Sequence, residues 1–330
     1  MAKKRRRRKK SMKWYKKIFV LFIIIGLFLV ATFFLDRKTF NELKNSIVLE
    51  ITKITNKIEK TISKYRKEKY DDIELTDDLM VFFLDVGQGD SILIKSQNEY
   101  MLIDAGNNID GDKIVKYFDN LGIEEFKYVV GTHVHEDHIG GMDNIIKKFK
   151  IDNFYMPSDA STTQTLLEVL NALESKNVKL QTAKAGTRLK LGDSDIEVLS
   201  AKVKQEELND TSIVLRLTYK NVSFLFTGDA TSNVEKELLN KNIESTVLKV
   251  GHHGSKYSNS AAFLRKVNPK YAVISCGVNN EYYHPHKVVL DKLESLNTEI
   301  YRTDLLGTIV AISDGYKVEF KTIKTYTDGG

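Results

Sequence analysis

All seven histidines of this 330-residue chain fall in three short clusters, at 133–138, 252–253 and 284–286. Incidental, solvated histidines have no reason to gather in this way. The first two clusters each follow an apolar run, Tyr128–Gly131 and Val247–Val250. α/β proteins expose reactive groups where the end of a strand opens into a loop. In the stretch Thr132-His133-Val134-His135-Glu136-Asp137-His138, His133 and His135 are two residues apart and project to the same side of an extended backbone. They can grip one metal ion, and Asp137 with His138 can grip a second as the chain turns. Gly140 and Gly141 permit the tight turn that follows. Imidazole and carboxylate together suit zinc, manganese or iron.

Three further segments add candidate ligands. Asp229, in Thr227-Gly228-Asp229, ends the apolar run Val222–Phe226, where a carboxylate can bridge two cations about 3.5–4 Å apart. One of His252 and His253 is expected to complete the metal shell and the other to face substrate; spacing does not choose between them. Ser255 lacks the Gly-x-Ser-x-Gly surroundings of a nucleophile and reads as a turn or a phosphate-contacting hydroxyl. In Tyr282-Tyr283-His284-Pro285-His286, either histidine can donate a proton to a leaving group or contact phosphate at a helix N-terminus. The single cysteine, Cys276, excludes an internal disulfide and reads as a small buried side chain.

Around these clusters, short apolar runs alternate with helical patterns. Strands are expected at Met80–Leu84, Ser91–Ile94, Tyr100–Ile103, Tyr128–Gly131, Ile196–Ser200, Ile213–Tyr219, Val222–Phe226, Val247–Val250, Tyr271–Ser275, Glu299–Tyr301 and Thr308–Ile312. Helices are expected at Asp112–Leu121, Gly140–Phe149, Thr163–Glu174, Asn233–Leu239, Ser260–Val267 and His286–Leu296. Clusters of strands with helices between them indicate a layered α/β domain.

The N-terminal end is different in kind. Residues 18–35 form an uncharged apolar run, long enough as a helix to cover roughly 27 Å, close to the hydrocarbon core of a bilayer. Trp14 and Tyr15 stand at the expected interface, and the basic tail 1–17 precedes the run. The positive-inside rule then predicts a cytoplasmic N-terminus and an extracellular domain. A cleaved signal peptide would have a shorter apolar region and a small-x-small site, so an uncleaved anchor is expected. Within 36–78, a helical stalk and linker, apolar residues from Phe40 to Tyr65 recur in steps of three and four. That stripe suits either a short dimeric coiled coil or one amphipathic helix lying on the domain or the membrane. The net charge of +6 is +11 over 1–17, zero over 18–35 and +5 over 36–70, which leaves −10 over 71–330. A broad nucleic-acid-binding surface on the main domain is therefore not the first expectation.

The main segment, residues 79–320 with a short tail 321–330, resembles the metallo-β-lactamase superfamily. More closely, it resembles the C-terminal hydrolase-like domain of ComEC-type DNA-uptake proteins. The resemblance rests on Phe83-Leu84-Asp85-Val86-Gly87-Gln88-Gly89-Asp90-Ser91, Leu102-Ile103-Asp104-Ala105-Gly106, the His133–Gly141 motif, Asn209-Asp210-Thr211-Ser212, Thr227-Gly228-Asp229, Leu248–Ser255, Ser275-Cys276-Gly277 and Arg302-Thr303-Asp304. It implies an α/β fold, an αββα sandwich with a metal site at one edge between the sheets. It implies two divalent ions, zinc or manganese, with Asp137 counted both as ligand and as catalytic carboxylate. Asp104 is then expected to orient a ligand histidine, with Asp85, Asn209, Asp210 and Ser255 around the ligands or against substrate.

The chain departs from the family pattern in two places. No histidine lies between His138 and His252, where lactamase-type members carry a third metal-binding histidine; Asn209-Asp210 occupies that region. Tyr282-Tyr283 stands where relatives tend to have Tyr-Gly. The channel proteins also have many transmembrane helices, against one apolar run here. The expectation is a membrane-anchored, extracellular metal-dependent hydrolase acting on phosphodiesters, either single-stranded DNA or a cell-envelope polymer. A non-catalytic surface binding module is the alternative of a different class.

Overall fold

The computed structural model describes residues 73–157, 163–203 and 205–323, together with Asn45, Ser46, Val48, Leu49, Thr52 and Lys53. The apolar run 18–35 and the tail 324–330 lie outside the described residues, as does most of the expected stalk. Asn45, Ser46, Val48, Leu49, Thr52 and Lys53 are helical, and Thr52 Oγ1 donates to the Val48 carbonyl at 2.8 Å. Among the described residues no helix is long and apolar enough to cross a membrane. The chain divides into two units at Ile73, and the second, Glu74–Gly330, holds the histidines.

Alternation of apolar residues builds this second unit. In β1 (Leu79–Phe83), every residue is buried, because both faces of the strand are covered. Leu79, Val81 and Phe83 face one core, which also takes Ile92 and Ile94 of β2 (Ile92–Ser96) and Met101 and Ile103 of β3 (Glu99–Ile103). The same core takes Leu215 and Leu217 of β9 (Val214–Tyr219) and Val222, Phe224 and Phe226 of β10 (Val222–Phe226). Phe83 and Phe226 meet across it with ring centroids 6.4 Å apart. Truncating either to Ala is expected to cost about 3–5 kcal/mol.

The remaining strands complete two sheets. They are β4 (Glu125–Val130), β5 (Lys150–Met156), β6 (Leu180–Thr182), β7 (Arg188–Leu191), β8 (Ser194–Ser200), β11 (Val247–Lys249), β12 (Tyr271–Ile274), β13 (Glu299–Arg302), β14 (Thr308–Ser313) and β15 (Val318–Ile323). One sheet runs β15-β14-β1-β2-β3-β4-β5-β6 and the other β13-β12-β11-β10-β9-β8-β7. Each is antiparallel over one part and parallel over the other, β3 to β6 in the first and β10 to β13 in the second.

Helices cover the outer faces. On the second sheet, Leu225 and Leu248 point away from the central core and pack with α5 (Ser232–Leu238), α6 (Ala261–Val267) and α7 (Lys287–Ser295). On the first, Phe118 of α1 (Gly111–Asn120) makes edge contacts with Phe126 of β4 and with Phe149, the C-cap of α3 (Met142–Lys148). The layers are therefore α-β-β-α, as the resemblance implied. α4 (Gln164–Ser175) starts on a Thr163 cap whose side chain accepts from Leu166 N.

Four strands go beyond the expected set: β5, β6, β7 and β15. All four carry exposed or half-exposed residues, so their apolar signal is thin. β15 also carries the domain past the expected boundary of 320 to Ile323. The helix expected over Gly140–Phe149 is α3, and a short helix beyond the expected set, α2 (Glu136–Ile139), precedes it. The break falls at Gly140-Gly141. An added Cβ at Gly140 would strike the Asn107–Asn108 backbone, and one at Gly141 the Ala105 carbonyl. The glycines let the two loops close on each other. A last short helix, α8 (Thr303–Leu306), begins within the Arg302-Thr303-Asp304 motif.

Candidate metal centre

The strand ends that carry the motifs open at one edge of the sandwich, the C-terminal ends of β3, β4, β10, β11 and β12. Backbone bonds lace their loops together. Asp90 N donates to Asp137 O, Ala105 N to His138 O, and His252 N to Gly228 O. Ile213 N donates to Thr132 O at 2.9 Å and ties the second sheet to the first beside the histidines.

The first cluster gathers just past β4. His133 Nε2 and His135 Nδ1 come within 3.0 Å. His133 Nδ1 lies 3.1 Å from Thr132 Oγ1, which donates to Asp104 Oδ2 at 2.7 Å. The hydroxyl thus accepts from Nδ1–H, and the Nε2 lone pair is left facing the cluster. Burial, then the neighbouring His138, hold His133 well below the ordinary imidazole range, so it is neutral.

Asp104 braces the cluster from below. Its Oδ1 accepts from Thr132 N at 2.7 Å, and its Oδ2 lies 2.8 Å from His138 Nδ1. That contact fixes the ring and aims His138 Nε2 at the cluster. There Asp229 Oδ1 lies 3.3 Å away and Asp137 Oδ2 3.7 Å away. Asp229 is itself held by its N–H donating to Ser212 Oγ at 3.1 Å.

The structure separates the two adjacent histidines. His253 Nε2 lies 3.2 Å from Asp137 Oδ2 and 3.5 Å from Asp229 Oδ2, and its Nδ1 lies 3.0 Å from the Ser275 carbonyl. His252 Nε2 lies 3.6 Å from Asp229 Oδ2 on the more open side. Both adopt left-handed backbone, φ 51° and 53°. Non-glycine residues persist there only where the surroundings hold them. Asn259 does so, its amide accepting from Gly251 N and donating to Gly251 O and Ser255 O.

One ligand atom from each of Asp137, His138, Asp229 and His253 lies within 4.8 Å of the others. His138 Nε2, Asp229 Oδ1 and His253 Nε2 are buried and lack a hydrogen-bond partner. Buried polar atoms are rarely left so, and here they converge. With His133, His135 and His252 alongside, the donor set fits two cations. The electrostatics agree. Burial opposes charge on both Asp137 and Asp229, yet the adjacent histidines outweigh it and hold both carboxyls below their usual range. Burial would lower His138, but Asp229, Asp137 and Asp104 hold it well above its ordinary value.

Beneath the cluster lies a pair that the sequence reading did not select. Lys249 Nζ donates to Asp90 Oδ2 at 2.8 Å, both side chains being fully buried, and Asp90 Oδ1 lies 3.5 Å from His253 Nδ1. Asp90, Asp104 and His138 also offer three close ligand atoms. Thr132, His138 and Lys249 already engage those carboxylates, so this group supports the cluster. The available clue was a lysine inside the apolar run that leads to His252.

Of the third cluster, His284 lies nearest the ligand groups, and the His286 ring lies 5.0 Å beyond it. The His284 ring lies 6.2 Å from that of His253, nearly parallel, and 5.5 Å from that of His252. Gln88 Nε2 lies 3.5 Å from its Nδ1. Burial, then His253, His252 and His286, push its pKa down to about 4. His286 caps α7, and its Nδ1 accepts from Lys256 N at 3.2 Å. Ser255 is buried in the turn, its Oγ accepting from Tyr257 N. Asp210 accepts from Thr231 N and Oγ1 and so anchors the loop after Asp229. Asn209 is buried with Oδ1 unpaired, and Asp85 Oδ1 accepts from Gly87 N. Cys276 is buried, its thiol pushed up to about 12 by burial and then by Asp304.

Comparison with known proteins agrees with this architecture. The family model of the metallo-beta-lactamase superfamily matches residues 84–278, more than half of the chain. ComE operon protein 3 of Bacillus subtilis (strain 168) is 33% identical over 250 residues, covering 69% of this chain and 32% of that protein. Competence protein ComA of Neisseria gonorrhoeae is 30% identical over 230 residues, covering 68% and 31%. The chain thus spans about a third of the length of these curated relatives. Among solved structures, the metallo-beta-lactamase fold protein YhfI from Bacillus subtilis aligns with a TM-score of 0.52 at 12% identity, covering 72% of this chain and 100% of that one. CmlA, a diiron beta-hydroxylase from Streptomyces venezuelae, aligns at 0.51 and 12% identity, covering 73% and 55%. These structural likenesses speak to the fold alone. With a matching family model, its two-sheet sandwich and a His/Asp cluster compatible with a dinuclear site, the chain belongs to the metallo-beta-lactamase superfamily.

Proposed function

We propose that the chain is a two-metal phosphodiester hydrolase. The observation that carries this reading is the convergence of the unpaired atoms of His138, Asp229 and His253 with Asp137 at the sandwich edge. In the reading, His133 and His135 hold one ion, Asp137, His138 and His253 hold the other, and Asp229 bridges. His252 borders the open side. Zinc and manganese both suit such a set. Bound there, the ions would supply a water made acidic near neutral pH and polarise a phosphoryl oxygen.

The chain's own residues supply the rest. Asp104 and the Ser275 carbonyl hold the two Nδ1 atoms, so that His138 and His253 present Nε2 to the centre. Gln88 faces His284 Nδ1, which leaves the ring proton on Nε2. With a pKa of about 4, His284 is neutral at pH 7 and offers that Nε2–H as a hydrogen bond to a phosphoryl or leaving oxygen. The packed loops exclude water from the inner side.

The substrate we assign is a phosphodiester, single-stranded DNA or an envelope polymer. Likeness to competence proteins supports the first, and a domain outside the membrane suits the second. We also propose that residues 18–35 anchor the chain in the membrane with the domain outside and that the stalk can pair two copies. Metal-loaded protein should hydrolyse bis(p-nitrophenyl) phosphate and lose that activity on chelation. Full metal loading without turnover of any diester would overturn the reading and favour a binding module.

A further inference from the structure

The loop between Gly277 and His284 carries two tyrosines that hydrolysis itself does not use. Tyr282 is 61% exposed and Tyr283 84%. A single exposed ring needs no explanation. Here two adjoin, and Tyr283 sits at φ 56°, in the left-handed region where a bulky residue is an outlier and glycine is at ease. The conformation is held in place. Asn280 Oδ1 accepts from His284 N at 2.9 Å, its Nδ2 donates to Gly277 O and His284 O, and Tyr283 N donates to Asn280 O. The fold therefore maintains a strained backbone that presents large rings to water, which stability does not account for.

Their position points to a use. The Tyr282 ring lies 5.6 Å from the His284 ring at 22°, and His284 lies 6.2 Å from His253 at 28°. A ladder of near-parallel rings thus runs from the buried cluster to solvent. Aromatic side chains grip unpaired bases by stacking, whatever their sequence.

We infer that Tyr282 and Tyr283 form a base-stacking platform through which the centre selects single-stranded nucleic acid over phosphodiesters that lack an aromatic face. This rests on the phosphodiesterase reading and narrows it. Bases in a duplex are already stacked on one another and unavailable, and a poly(glycerol phosphate) has no ring to offer. Because the domain is acidic, stacking rather than phosphate neutralisation carries the binding.

The test uses the full chain in detergent, metal-loaded, with a short single-stranded oligodeoxynucleotide, an abasic strand of equal length and poly(glycerol phosphate). Tyr282→Ala and Tyr283→Gly should each raise KM for the base-bearing strand about five- to a hundredfold and leave kcat in place. Tyr282→Phe should match the wild type. Tyr283→Gly relieves the left-handed backbone, so it should melt no lower than the wild type, and its loss is then not one of folding. Fluorescence anisotropy of the labelled strand should show the same ratios without turnover. If neither strand is cut yet the anisotropy ratios hold, the hydrolytic reading fails and the platform stands. Unchanged binding in both variants, or equal KM for base-bearing and abasic strands or poly(glycerol phosphate), would overturn the platform.

Discussion

The inner and outer walls of the site are built in opposite ways. On the inner wall, neighbours from other segments hold three of the ligands: the His138 ring by Asp104, the His253 ring by the Ser275 carbonyl, and the Asp229 backbone by Ser212. Asp104 is braced in turn by Thr132, and Asp90 by Lys249. The outer wall, His252, His284, Tyr282 and Tyr283, stands on loops and ends in the exposed rings of Tyr282 and Tyr283. The difference teaches a division of labour. The rigid wall fixes ligand geometry, and the exposed wall can vary with substrate without disturbing it. Substitutions should therefore separate into those that abolish all chemistry and those that change what is accepted.

The largest effect is expected at the bridge. Asp229→Asn should lower turnover of every diester on the order of a thousandfold, as loss of a shared ligand removes several kcal/mol of charge stabilisation. A selective loss, confined to one substrate, would break the division. Next is the buried pair. Lys249→Met leaves Asp90 charged and uncompensated and should destabilise the fold by about 3–5 kcal/mol in denaturant titration. Adding Asp90→Asn should recover much of that, because the cost lies in the unpaired charge rather than in the lost contact.

Asp104→Ala should weaken metal retention about 10- to 100-fold in a chelator competition while secondary structure persists, since it touches the ligand and not the ion. The smallest effect concerns pH. Burial depresses the folded pKa of His284 to about 4, below the unfolded value near 6.5. Its contribution to stability is therefore fully present above about pH 6.5 and is lost as pH falls towards 4. Between pH 7 and 5, His284→Gln should lose less stability than the wild type. An identical decline would place the titration elsewhere.

The inner wall was only half legible in the sequence. His133, His135, Asp137, His138 and Asp229 announce themselves by spacing and by following apolar runs. The choice of His253 over His252 depends on two left-handed backbone positions that no spacing encodes. Asp90 and Lys249 lie 159 residues apart and meet only because β11 runs beneath the loop after β1. His286 lies beside His284, ring centroids 5.0 Å apart, and its Nδ1 accepts from Lys256 N, a contact that no spacing encodes. For the fold, the central strands were plain because both faces are apolar. β5, β7 and β15 were not, because half-exposed strands carry polar residues that blur the alternation. The helix break at Gly140-Gly141 follows from loop-to-loop contact, which is a tertiary fact.

The central claim is a dinuclear centre, and elemental analysis of the purified, metal-reconstituted protein tests it most directly. The account predicts close to two zinc or manganese ions per chain, with the count falling in Asp229→Asn. Protein that folds but retains no metal after reconstitution would contradict it.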